Sequence, residues 1–183
     1  ALPEGLKPYS PLPQPIITPT TKAAAFEHDE EISGSALIQR GVVTAPEWQA
    51  IQTAALKIFA AGGRRLLATG WLLVDTKYEF GRLADGSLLL IDEVHTPDSS
   101  RFWRQESYQE RLARGATPEM FDKEIVRRQL AGLGFTGVGE VPPVPQQLLA
   151  QLLSAYLEIA GQLEVLPTVT DSSGDDIVDR ILS

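Results

Sequence analysis

Two neighbouring stretches decide the fold: Val74-Asp75-Thr76-Lys77-Tyr78-Glu79-Phe80 and, after a polar break, Leu88-Leu89-Leu90-Ile91-Asp92. In the first, Val, Thr, Tyr and Phe alternate with ionic residues. The second is an apolar run, and Asp85-Gly86 between them is a hairpin signal. The sequence therefore predicts one strand over 71–80, a turn over 81–86 and a second strand over 87–94. Side chains alternate faces along a strand, so Asp75, Lys77 and Glu79 share one face and Val74, Thr76, Tyr78 and Phe80 the other. A two-residue turn at Asp85-Gly86 sets Glu79 opposite Asp92 on the same face. Facing carboxylates repel, so the pair calls for a divalent cation or a lysine between them. Mg²⁺, which takes one or two carboxylates together with substrate phosphates, suits such a pair. The unbroken apolar run from Leu88 to Ile91 predicts a buried second strand, and carboxylates on a buried face need partners.

Downstream lies Thr96-Pro97-Asp98-Ser99-Ser100-Arg101-Phe102-Trp103. Small hydroxyls beside an arginine suit capture of a phosphate or carboxylate, because the guanidinium forks onto two oxygens and the hydroxyls add donors. The only histidines are His28 and His95. Neither stands in a metal-ligand spacing, and His95 is read as a structural or supporting residue. The segment 95–117 is predicted as a long loop with room for a short helical piece. A helix is predicted over 121–133, stopped near Gly134. Another follows over 144–163 after the Pro142-Pro143 break, with Leu148, Leu149, Leu152, Leu153, Tyr156 and Ile159 as its apolar stripe.

Upstream, Thr44 reads as a helix N-cap with Pro46 and Glu47 in the first turn. That helix ends before Gly70, and Gly62 and Gly63 weaken its second half. Residues 1–21 carry Pro3, Pro8, Pro11, Pro13, Pro15 and Pro19, which makes an extended arm. Ile16 and Ile17 imply that this arm is docked, and His28-Asp29-Glu30-Glu31 follows as a polar cluster. The expected organisation is an arm over 1–34, an α+β domain over 35–163 with an antiparallel sheet packed on helices, and a tail over 164–183. Ile177, Ile181 and Leu182 would share one face of a short helix in that tail.

The 183 residues carry a net charge of −8 and are 43% hydrophobic, enough for one sizeable core. The acidic balance argues against diffuse nucleic-acid binding. The absence of cysteine excludes disulfides, thiolate metal sites and a cysteine nucleophile. No apolar run is long enough to span a bilayer, and Ala1 to Lys7 lack the pattern of a secretory leader. A cytoplasmic protein is expected, and the opening on Ala1 reads as a truncated or processed chain. Walker, dinucleotide and hydrolase-elbow motifs do not occur.

Taken in order, LPEGLK from Leu2, PIITPTTK from Pro15, HDEEIS from His28, DTKYEFG from Asp75, LIDEVHTPDSSRFW from Leu90 and FDKEIVR from Phe121 resemble the phosphoribosylaminoimidazole-succinocarboxamide synthase (SAICAR synthetase) family. The resemblance extends to about Gly161. It implies a SAICAR-synthase-like, ATP-grasp-like C-terminal domain. It also implies a reaction in which ATP and Mg²⁺ drive the joining of L-aspartate to carboxyaminoimidazole ribonucleotide (CAIR), giving SAICAR, ADP and phosphate. On that resemblance Glu79 and Asp92 are the metal and nucleotide carboxylates, and Lys77 faces substrate and phosphates. Asp98, Ser99, Ser100 and Arg101 form the CAIR loop. His28, Asp29 and Glu30 line the same cleft, and Lys123 and Arg127 add positive charge toward the nucleotide, although Lys123 could equally pair with Asp122 or Glu124.

The family's N-terminal glycine-rich nucleotide part does not appear in this sequence, so the resemblance implies half a site that a second piece would complete. Two other readings remain: a phosphotransferase of related fold, such as an inositol-phosphate kinase, and a non-catalytic remnant serving as a binding module. Core surface exposed toward the missing half would favour a partner or a homo-oligomer.

Overall fold

Thr44 starts the longest helix for a local reason. Its hydroxyl accepts from the backbone N–H of Glu47, and the Glu47 carboxylate reaches back to the Thr44 N–H at 2.6 Å. This reciprocal capping box satisfies two donors that a helix start leaves open. The computed structural model describes residues 4–21 and 29–164. In chain order it contains α1 (Gly34–Gln39), α2 (Ala45–Leu67), β1 (Trp71–Thr76), β2 (Glu79–Arg82), β3 (Leu88–Ile91), β4 (Ser100–Arg104), α3 (Gln105–Ala113), α4 (Glu124–Gly132) and α5 (Gln146–Glu164). The α+β class agrees with the sequence reading. The predicted tail helix and His28 lie outside the described residues.

The sheet differs from the expected single hairpin. The strand predicted over 71–80 is broken at Lys77-Tyr78, and its first part pairs antiparallel with β4, a strand that sequence reading assigned to loop. β2 and β3 form a second two-stranded ribbon. The two ribbons are nested: β1 and β4 form the outer pair, β2 and β3 the inner. Between them Lys77-Tyr78 on one side face the far longer segment Asp92–Ser99 on the other, so the surplus chain is extruded as a loop. This junction positions the candidate site.

The inner register is also corrected. Glu79 pairs with Ile91, not Asp92. The turn is not the two-residue form: Leu83 N–H donates to Ser87 O, leaving Ala84-Asp85-Gly86 as the loop, with Gly86 at φ 89°. A three-residue hairpin loop with a left-handed glycine shifts the pairing by one relative to a two-residue turn. The second strand ends at Ile91, because Asp92 takes φ 67° and leaves the ladder. Nor is that strand buried as expected: Leu89 and Ile91 are exposed.

The core sits where α2, β1, β4 and α5 meet. Leu66, Trp71, Phe102 and Ile159 form it, with Leu73 and Phe121 packed against them. Trp71 and Phe121 meet edge to face at 4.6 Å, and the Arg104 guanidinium lies 4.8 Å from the Trp71 ring and 4.9 Å from that of Phe121. Such a cation over aromatic faces contributes about 0.5–2 kcal/mol.

α5 packs through Leu148, Ala155 and Ile159, whereas Leu149 and Leu153 of the predicted stripe face outward. α4 starts later than predicted because Asp122 and Lys123 form its entry. The arm is docked, but through Tyr9 and not through Ile16, which is exposed. Tyr108 Oη donates to the Tyr9 carbonyl at 2.6 Å, Arg128 donates to Tyr9 Oη at 2.7 Å, and Tyr9 meets Trp103 edge to face. Among the described residues no helix is long and apolar enough to cross a membrane.

Candidate active site

The register break between the ribbons puts Lys77 and Glu79 on the same side of the chain. Lys77 Nζ lies 2.8 Å from Glu79 Oε1 and 3.8 Å from Asp29 Oδ2. The Glu79 hydrogen bond, reinforced by the charges of Glu79, Asp29 and Asp92, raises the Lys77 pKa against the opposing effect of burial. The ammonium therefore stays charged amid three acidic residues. Asp92 is not opposite Glu79 in a ladder, yet both act on one cationic point. Lys77 pairs directly with Glu79 and Asp29, and Asp92 acts on it through its charge alone.

Among the described residues no three Asp, Glu or His side chains converge as a metal cage. One or two carboxylates such as Glu79 and Asp92, with phosphate and water oxygens completing the shell, are a donor set that suits Mg²⁺ and not an all-protein calcium-type site.

The second half of the site hangs on the end of the outer ribbon. Ser100 Oγ donates to Thr76 Oγ1 at 2.8 Å, and Lys77 N–H donates to the Ser99 carbonyl at 2.9 Å. These bonds fasten the Thr96–Arg101 segment beside Lys77. Inside the loop, Thr96 Oγ1 donates to Glu93, and Ser99 N–H donates to Thr96 Oγ1 at 3.2 Å. Arg101 pairs with Asp75 and, at 3.5 Å, with Glu124 Oε2. The two carboxylates fix the orientation of the guanidinium.

Lys123 does not pair locally. Its Nζ lies 3.5 Å from Asp98 Oδ1, which draws α4 onto the same loop. Glu30 is exposed, and its carbonyl accepts from Thr21 N–H at 2.9 Å, a contact of the arm's own backbone. The structure thus joins Lys77 to Glu79 and Asp29, Lys123 to Asp98, and Ser99 and Ser100 to the Thr76-Lys77 end of β1, while Arg101 is held by Asp75 and Glu124.

Sequence reasoning missed Asp75 and Glu124 as partners of Arg101, since their proximity depends on the β1–β4 pairing and on α4. It also missed Asp122. This carboxylate is fully buried, accepts from Phe102 N–H at 3.3 Å and from Glu124 N–H at 2.7 Å, and so joins β4 to the start of α4. Burial raises its pKa, with the two N–H donors and Arg101 pulling the other way.

A family model described as SAICAR synthetase matches residues 1–142. The chain belongs to the SAICAR synthetase family. It is 41% identical over 181 residues to the phosphoribosylaminoimidazole-succinocarboxamide synthase of Legionella pneumophila (strain Paris), covering 98% of this chain and 57% of that protein. Against the synthase of Flavobacterium psychrophilum it is 41% identical over 160 residues, covering 86% and 51% respectively. Among solved structures it is similar to the SAICAR synthase of Saccharomyces cerevisiae complexed with SAICAR, with TM-score 0.70 and 32% identity over 88% of this chain and 50% of that one. A SAICAR synthetase in complex with ADP matches with TM-score 0.61 and 28% identity, over 88% of this chain and 54% of that one. The chain thus spans about half the length of the curated relatives it matches.

Proposed function

We propose that this chain carries the carboxylate, lysine and CAIR-loop side of an ATP-dependent carbon–nitrogen ligase that joins L-aspartate to CAIR, giving SAICAR, ADP and phosphate. One observation carries the reading: the Lys77–Glu79 pair and the Ser99–Arg101 loop are fastened to each other at the junction of the two ribbons. A charged phosphoryl donor and an anionic acceptor can therefore be held side by side. Family relatives in complex with SAICAR and with ADP support both ligand classes.

In this mechanism Arg101 and the Ser99 hydroxyl bind CAIR, the buried Ser100 anchors the loop through Thr76, and Asp98 and Lys123 brace it. Held there, the CAIR carboxylate attacks the terminal phosphoryl group of ATP, forming an acyl phosphate and releasing ADP. The aspartate amine then attacks the acyl carbon, phosphate leaves, and the amide forms. Lys77 offsets charge on the transferring oxygens, the electrostatic work that dominates such transfers. Glu79 and Asp92 would hold Mg²⁺, which when bound neutralises phosphate charge. Asp29 lies 3.8 Å from Lys77 on the same face. The chemistry suits a cytoplasmic biosynthetic enzyme whose nucleotide is completed by the family's N-terminal part.

The test is ATP turnover by the chain joined to the N-terminal part of a family member. Turnover that requires both CAIR and aspartate is expected. Turnover with inositol phosphates and no amine acceptor would replace the ligase by a kinase. Asp92→Asn should abolish Mg²⁺-dependent turnover while the circular dichroism spectrum stays that of the parent; parental turnover would remove Asp92 from the mechanism.

A further inference from the structure

Two residues in the loop between β3 and β4 adopt left-handed backbone conformations without being glycine: Asp92 at φ 67° and His95 at φ 55°. Each costs about 1–2 kcal/mol, so something nearby must hold the loop in this shape. The His95 side chain makes two contacts that do so.

The first is with α2. A Cβ added at Gly62 would fall 2.2 Å from His95 Cε1 and 2.5 Å from Nδ1. The imidazole therefore rests on helix backbone, and only glycine leaves the space. This explains why a helix-weakening residue stands in the middle of α2. The second contact is with Tyr78, the residue between Lys77 and Glu79. Tyr78 Oη and His95 Nε2 are 2.5 Å apart, and the rings are tilted at a centroid distance of 5.6 Å. Burial pushes the Tyr78 pKa up and the His95 pKa down to about 4. Phenol and imidazole are both neutral near pH 7, and they share one hydrogen bond whose direction follows the imidazole tautomer.

His95 stands three residues after Asp92 and three before Asp98. Its ring ties that loop to α2 on one side and to the Lys77–Glu79 segment on the other. We infer that His95 is a positioning residue: seated on Gly62 and bonded to Tyr78, it sets the spacing between the Asp92 carboxylate and the Asp98–Arg101 anion cradle. The inference deepens the ligase reading and rests on it for the identity of the bound anion.

Two readouts on this chain test it. Amide hydrogen exchange over residues 92–101 reports the loop without any ligand, and calorimetric titration with CAIR of the chain joined to the N-terminal part of a family member reports the cradle. His95→Ala, Tyr78→Phe and Gly62→Ala should each speed loop exchange, and His95→Ala should weaken CAIR binding about tenfold, the size of a coupled contact. His95→Gln restores a hydrogen-bonding amide toward Tyr78 and should recover most of the affinity. Gly62→Ala should cost nothing further in the His95→Ala background. Loop exchange that stays parental in His95→Ala and Tyr78→Phe overturns the inference. So does additivity of Gly62→Ala with His95→Ala, or affinity that falls only in step with melting temperature and is not recovered by glutamine. Should the parent chain joined to the N-terminal part of a family member bind no CAIR, the ligase reading fails, while the exchange measurements still decide whether His95 holds the loop. If Gly62→Ala does not fold, Tyr78→Phe, which removes one hydroxyl, still decides the outcome.

Discussion

Replacing Asp122 by alanine removes the acceptor for two backbone donors of unequal standing. Phe102 N–H belongs to a residue with 0% exposure, so water cannot substitute for the lost carboxylate oxygen. Glu124 N–H, at 2.7 Å, belongs to the first turn of α4, where water has better access. A buried donor left unsatisfied costs about 1–3 kcal/mol, and the more accessible one falls at the low end of that range. The total is about 2–4 kcal/mol, which for a chain of this length lowers the melting temperature by roughly 5–15 °C.

Asp122→Asn keeps one acceptor oxygen. Turned toward Phe102, that oxygen preserves the better-shielded bond, and the expected loss shrinks to about 1 kcal/mol. The pH dependence has a definite sign. Burial raises the Asp122 pKa above the usual 3.8, so its contribution is fully present below that value and declines as pH rises through the raised folded value. The advantage of aspartate over asparagine should therefore be largest in acid and smaller at pH 7. The assay is urea unfolding of the three proteins at pH 7 and at the lowest pH where all fold. An asparagine variant as unstable as the alanine one, or an alanine variant within 0.5 kcal/mol of the parent (roughly the scatter of surface substitutions), would refute the assignment of Asp122 as the acceptor joining β4 to α4.

Arg101→Ala should weaken CAIR binding by about 2 kcal/mol, the low end for truncating a charge partner, because the side chain is half-exposed; calorimetry showing parental affinity would reject its role. His95, neutral in the fold with a pKa lowered to about 4, resists a proton that the unfolded chain accepts near 6.5. Its contribution is present above pH 6.5 and is lost as pH falls toward 4, by about 2–3 kcal/mol, and His95→Gln should flatten that limb of the stability–pH curve. Thr44→Ala removes the N-cap of α2 and should cost about 1 kcal/mol in denaturant unfolding; no change would mean that α2 is held by packing alone. In the same capping box, hydrogen bonds from the Thr44 backbone and hydroxyl, then from Arg82, lower the Glu47 pKa to about 2, so that support is present above pH 4.5 and fades as pH falls toward 2.

Much was legible in the chain because it depends on neighbours in sequence. The capping residues of α2, the apolar period of α5 and the glycine stop after α4 are interactions within a few positions, and each element appears within a few residues of its expected place. The ordered motifs around Lys77, Glu79, Asp92 and Arg101 identified the family for the same reason, being contiguous runs of residues.

Tertiary structure decided which strand faces which. Asp85-Gly86 signals a hairpin but does not distinguish a two-residue loop from a three-residue one, and that single residue moved Glu79 from Asp92 to Ile91. β4 lies within the segment predicted as a long loop. It becomes a strand because Phe102 and Trp103 are buried when it pairs with β1. The partners of Arg101 and the seat of His95 on Gly62 join residues far apart in the chain. Local patterns encode elements, whereas these contacts exist only once the nested ribbons have extruded their surplus residues against α2 and α4.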